Sequence, residues 1–125
     1  MKRLFRYWLP PLAWMGLIFS LSAQPDLPSA PSPWLDILLK KIGHALGYGI
    51  LAWLYLRALR ENVHHPQALS LALTVLYALS DEYHQTFVPG RNGTLWDVGV
   101  DGLGALGAML LQRQRTPDRQ TRNAQ

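Results

Sequence analysis

The sequence predicts an all-α fold: an integral membrane bundle of four transmembrane helices, with both termini cytoplasmic. Three observations carry this. Four apolar segments alternate with polar or proline-rich stretches. Charged residues make up 16% of the chain, against about a quarter in soluble domains. Basic residues stand at the edges of the apolar segments, as membrane topology requires. Mean hydropathy is zero, so the distribution along the chain decides, not the average.

The first segment runs from about Phe5 to Leu21. Lys2, Arg3 and Arg6 precede it and Ser20-Leu21-Ser22-Ala23 ends it, a pattern shared with cleaved signal peptides. Three further spans follow, so an uncleaved first span is expected, kinked or started late by Pro10 and Pro11. From Ala23 to Pro33 the chain reads AQPDLPSAPSP, too rich in proline for a helix. Trp34, Leu35, Ile37, Leu38 and Leu39 then suit a short helix lying on the outer membrane surface.

The second segment runs from about Ile42 to Leu59. Its stretch IGHALGYGILAWLYLRAL has no polar face beyond the first turn, unlike the helix of a soluble bundle. The third runs from about Ala68 to Ser80, and reaches the length of a span, roughly 20 residues, only if its polar end up to His84 is counted. The fourth runs from about Leu95 to Leu111, and is apolar after Asp101. Residues 1–112 form one membrane domain, and residues 113–125 a basic cytoplasmic tail expected to be disordered.

With the N-terminus inside, nine of the 12 Lys and Arg residues fall on inner segments. Lys40, Lys41 and Arg91 are the outer three. The positive-inside rule then places both termini in the cytoplasm. The net charge of +4 is explained by this topology rather than by nucleic acid. The chain has no cysteine, which excludes disulfides, thiolate metal sites and cysteine nucleophiles. Trp8, Trp34, Trp96, Tyr7 and Tyr83 lie near span ends, as in an aromatic belt. His64 and His65 belong to a solvated inner loop.

The chemistry gathers at the outer end. Span two begins there with Lys40, Lys41 and His44. Span three ends there with Asp81, Glu82, His84 and Gln85. Span four begins there with Asp97 and Asp101. Lys41, His44 and Tyr48 have helical register, as do Tyr77, Asp81 and His84, and Asp97 and Asp101 share one face. Ionisable groups in a bilayer are costly and should face one another or a wet cavity. Matched ion pairs would merely hold the helices together; four carboxylates, two histidines and two or three cations go further, toward a site. Pro89-Gly90 fits a type II turn that would aim Arg91 at the carboxylates. Thr94 and Asp97 have capping-box-like spacing, so Asp97 also has a local explanation. Gly104 and Ala108 form a small-xxx-small pair that permits close helix packing, within the bundle or against a second copy.

The order Lys41-x-x-His44-x-x-x-Tyr48, Asp81-Glu82-x-x-Gln85, Phe87-Val-Pro-Gly-Arg91, Asp97 and Asp101-x-x-Gly104 resembles the VanZ-like family of small bacterial membrane proteins. The resemblance extends from the first span to Gly107, with SDEYHQTFVPGR its most specific run. The last polar position, often asparagine in that family, is Asp101 here. The resemblance implies a multi-pass protein of the bacterial cytoplasmic membrane, in the cell envelope. The name-giving member is associated with resistance to the glycopeptide antibiotic teicoplanin, and resistance does not extend to this chain by resemblance alone.

Two readings of the site follow. In one, an anionic lipid-linked head group or cell-wall precursor binds there. Lys41, Arg91, Gln85, Tyr48 and Asp97 contact it, and Asp81, Glu82, His44, His84 and Asp101 are the candidate acids, bases or hard-cation ligands. In the other, the chain is a non-enzymatic membrane partner or small proton-linked transporter, and the cluster is a structural network. No motif specifies a cofactor, and enzyme and binding protein both remain open.

Overall fold

The computed structural model describes residues 1–23, 31–88 and 95–115, with side chains as far as Gln112. It contains four helices: α1 (Lys2–Ser22), α2 (Pro33–Leu59), α3 (Pro66–Gln85) and α4 (Leu95–Arg115). There is no strand among the described residues. Proline opens both α2 and α3, where its missing N–H costs no hydrogen bond and its fixed φ suits the first turn.

α2 is the centre of the bundle. It packs against each of the other helices, whereas α1 rests on α2 and α3 and does not pack against α4. One core cluster joins Tyr48, Leu51, Tyr55 and Leu59 of α2 to Ala78 of α3, with Trp8, Trp14, Met15 and Ile18 of α1 laid against it. A second joins Ala52 and Leu56 to Ala105 and Met109 of α4. The α2–α4 seam is tight for a specific reason: a Cβ on Gly104 would overlap the Ala45 carbonyl and come 2.8 Å from Ala45 Cα. Only a glycine fits there. The small pair Gly104 and Ala108 is therefore spent inside the chain, against Ala45 and Gly49, and is not a free face for a second copy.

Polarity is distributed inside out. Ser70, Thr74, Asp81, Glu82, Gln85 and Asp101 are buried, while Leu4, Phe5, Leu9, Leu12, Leu38, Leu46, Leu76, Leu103 and Leu110 are among many large apolar residues exposed. The hydroxyls are satisfied by backbone carbonyls: Ser70 donates across to Ala52 O of α2 at 2.5 Å and Thr74 to Ser70 O of its own helix at 2.8 Å.

Three expectations are corrected. Trp34–Leu39 is not a separate surface helix: it is the start of α2, whose 27 residues extend about 40 Å at 1.5 Å each. Asp36 and Lys40, one turn apart, bridge the region at 2.7 Å and help the helix run through. The prolines do not delay α1, which begins at Lys2 and contains both; lying past the first turn, each takes one i→i−4 donor out of the helix. The tail does not leave helical form at Gln112, since α4 continues to Arg115. The remaining tail residues, 116–125, lie outside the described residues, as does the proline-rich segment 24–30.

By length and composition one helix among the described residues, α2, qualifies as able to cross a membrane. The other three are 20 or 21 residues long, close to what a hydrocarbon core of about 30 Å needs, but more polar.

Candidate functional site

Helix register explains why chemistry collects at one end. In an up-and-down bundle the start of α2, the end of α3 and the start of α4 meet, together with the end of α1. Each pairing there joins two helices. Lys41 Nζ donates to Asp97 Oδ1 at 3.0 Å, bridging α2 and α4. One turn deeper, His44 Nδ1 lies 3.2 Å from Asp101 Oδ1. Deeper again, the Tyr48 hydroxyl donates to Asp81 Oδ2 of α3 at 2.8 Å. The same carboxylate oxygen accepts a hydrogen bond from Ser22 of α1, also at 2.8 Å.

These layers differ in exposure. The Lys41 and Asp97 side chains are 36% and 28% exposed, so water screens that pair. Asp101 is 0% exposed and Asp81 2%. Burying a carboxylate is costly unless its oxygens find partners. Here they find too few: Asp81 Oδ1 and Asp101 Oδ2 are buried with no hydrogen-bond partner among the described residues, as is the Gln85 amide nitrogen. Asp81 and Glu82 both act electrostatically on His44. His44, Glu82 and Asp101 bring three potential ligand atoms within 4.8 Å of one another.

A groove of about 420 Å³ opens beside this cluster, between α1 and α2. Trp14, Leu17, Ile18, Leu46 and Ile50 make its apolar walls, and Ser22, Lys40, His44 and Tyr48 line its polar part. Gly43 and Gly47 also line it, and a Cβ at either would meet nothing within 4 Å. Trp14 is fixed across it by a 2.8 Å hydrogen bond from its indole nitrogen to Gly47 O.

Of the ten residues expected at the site, the described structure draws Lys41, His44, Tyr48, Asp81, Glu82, Asp97 and Asp101 into this one end. Gln85 is buried at the end of α3. His84 takes another direction: its ring lies 4.5 Å from that of Phe19 of α1, tilted by 37°, and its Nδ1 is buried without a partner among the described residues. Arg91, with its turn at Pro89-Gly90 and the Thr94 cap, lies outside the described residues. Tyr77 shares the register of Asp81 but donates to Met15 O of α1 at 2.6 Å, so it ties helices together. Ser22 was missed. In sequence it belongs to a small-residue run that reads as a cleavage signal, and only the return of α1 beside α3 gives it a partner. His64 and His65 are exposed, as expected of a solvated loop.

A family model described as VanZ/LLP1 matches residues 5–114. This chain belongs to the VanZ/LLP1 family. The match takes in nearly the whole of all four helices, and so every residue of the cluster. No curated protein and no solved structure matches the chain. Membership in the VanZ/LLP1 family thus supplies neither a substrate nor a reaction, and the chemistry has to be argued from the cluster.

Proposed function

We propose that this VanZ/LLP1 protein spans the bacterial cytoplasmic membrane four times, with both termini inside, and that its outward-facing polar site binds an anionic lipid-linked ligand. The inside-out polarity supports the first part. Side chains such as Leu12, Leu46 and Leu103 meet hydrocarbon well and water badly, and intramembrane ionisable groups turn inward. α1, α3 and α4 then cross as members of a bundle whose polar faces are covered by one another.

One observation carries the second part: the apolar α1–α2 groove leads into the polar cluster. An acyl or polyprenyl chain fits the walls at Leu17, Ile18, Leu46 and Ile50. A phosphate or carboxylate at its end reaches the level of Lys40, Lys41 and His44. Arg91, which follows α3 in sequence, lies outside the described residues; a guanidinium is the cation suited to bidentate contact with such an anion. Asp81, Glu82, His44 and Asp101 stand behind as acid–base groups.

The competing reading, a structural or proton-linked network, draws on the pairs Lys41–Asp97 and His44–Asp101. Asp81 Oδ1 and Asp101 Oδ2, without partners among the described residues, argue against it, because a network built for stability satisfies its buried oxygens.

Lipid binding separates the readings. Native mass spectrometry of the detergent-purified protein would compare a polyprenyl phosphate with the uncharged polyprenol of the same length. The phosphate should bind at least about tenfold more tightly, a difference of about 1.4 kcal/mol. Gly47→Leu, which fills the groove where a side chain meets open space, should remove that binding while leaving the protein folded. Equal affinity for both lipids, or full binding by Gly47→Leu, would leave the network as the better account.

A further inference from the structure

We infer that His44, Glu82 and Asp101 form a binding site for a divalent first-row transition cation, of the Zn²⁺ or Mn²⁺ class. The inference deepens the proposed function and rests on the same cluster being a ligand site.

Geometry comes first. The three residues come from three helices, and each offers one donor atom within 4.8 Å of the others. Around an ion with ligands at about 2.1 Å, donors stand up to about 4.2 Å apart, so small side-chain rotations close the set. The second observation is independent of the cluster's composition. Asp101 is fully buried, yet its Oδ2 has no hydrogen-bond partner among the described residues. Asp81 presents a second such oxygen, 2% exposed, on the neighbouring helix. A desolvated carboxylate oxygen with nothing to accept is expensive, and a cation is the partner that answers it most directly.

Charge points the same way. Asp81, Glu82 and Asp101 outnumber the single imidazole beside them, and Lys41 is already engaged by Asp97 at the more exposed level. Binding an anion directly against three carboxylates would be repulsive. A dication among them reverses the sign of the local field and gives a phosphate a partner. One nitrogen and two oxygens suit Zn²⁺ or Mn²⁺ better than Mg²⁺ or Ca²⁺, which prefer oxygen alone, or Cu⁺, which prefers sulfur. The chain has no thiol to offer.

The test uses the full chain in detergent micelles, stripped with chelator, with Zn²⁺ or Mn²⁺ alone and no lipid. Equilibrium dialysis should give one saturable ion per chain, and saturation should raise the melting temperature by several degrees through ligand linkage. Glu82→Gln and Asp101→Asn should each weaken binding at least about tenfold. These substitutions disturb a buried network, so the wild-type protein provides a second reading. Co²⁺ should broaden and shift the imidazole resonances of His44 before those of His64 and His65. Absence of saturable binding, unchanged affinity in both variants, or first broadening at His64 and His65 would each overturn the site. Because no lipid is present, such a result leaves the Gly47→Leu comparison standing, and failure of that comparison leaves the ion measurement standing.

Discussion

The two ends of the bundle spend their charge differently. Where α1 begins and α2 ends, Arg3 meets Glu61 at 3.4 Å with side chains 81% and 61% exposed. Arg60 reaches Gln112 at 3.4 Å, and the Arg57 guanidinium lies 5.4 Å from the centre of the Tyr7 ring. Those contacts are long and open to solvent. At the opposite end Ser22, Tyr48 and His44 meet the buried Asp81 and Asp101 at 2.8 to 3.2 Å, beneath the partly exposed Lys41–Asp97 pair. Both ends tie helices together, but only one does so with groups that cost free energy to bury. A fold needing only cohesion has the first kind of contact available, so the second kind points to binding.

The largest break in this comparison is steric. Gly104 lets α2 and α4 approach until His44 and Asp101 meet. Gly104→Ala places a methyl on the Ala45 backbone, which cannot swing aside as a side chain does. The expected loss is at the upper end of about 1–3 kcal/mol for overpacking, or beyond. Gly107→Ala, on the same helix with nothing within 4 Å, should be neutral or slightly stabilising. Thermal unfolding in detergent, read side by side, checks both; equal melting temperatures would mean that the seam is not as close as described.

Next come the buried carboxylates. Asp101→Ala removes the partner of His44, whose side chain is 28% exposed, so the loss should fall below about 3–5 kcal/mol, the cost of breaking a fully buried pair. Asp101→Asn keeps the shape and a hydrogen bond and should cost much less in stability while still weakening ion binding. If Asp101→Ala were as stable as wild type, this end would be no more than a second solvated surface.

A smaller effect is expected at Asp81 Oδ2, which accepts from both Tyr48 and Ser22. Tyr48→Phe and Ser22→Ala each remove one donor, at about 1 kcal/mol for an ordinary hydrogen bond. The two changes share an acceptor, so the double variant should deviate from additivity by at least about 0.5 kcal/mol. Additive losses would show that the two hydroxyls act separately.

How much of this is legible in the sequence depends on whether a contact follows from register. Lys41, His44 and Tyr48 lie along one face of α2, and Asp97 and Asp101 along one face of α4. Once both spans are drawn parallel, each starting at the outer end, their pairing at matching depth follows. The same holds for Gly104, because small residues at helical spacing mark a close approach. Ser22 and Trp14 are not legible in this way. Their partners, Asp81 and Gly47, are chosen by how α1 leans on α2 and α3, and nothing periodic in α1 encodes that. The surface helix expected at Trp34–Leu39 failed for a local reason: proline at the start and the Asp36–Lys40 bridge favour one unbroken helix, and no breaker separates Leu39 from Ile42. The His84 ring lies against Phe19 of α1, a contact that, like that of Ser22, depends on how α1 leans.

The smallest expected effect belongs to the open end, and it tests the comparison from the other side. Arg3 and Glu61 are mostly exposed, so Coulomb attraction acts through water and salt screens it. Holding two long side chains together also costs rotamer entropy, and exposed pairs rarely exceed about 1 kcal/mol. Glu61→Gln should therefore change stability by no more than about 0.5 kcal/mol, with the difference vanishing as salt is raised. Arg3→Gln should be as mild in stability. It removes one of nine basic residues assigned to the inner side and leaves eight against three, so orientation should not change. A reporter fused after Asn62 should still read inside, and one fused after Asp26 outside. Reversal of either sign in the parent chain would remove the outward direction assigned to the cluster. A large, salt-independent loss of stability in Glu61→Gln would show that the open end also rests on buried charge, and the contrast from which the binding role is argued would disappear.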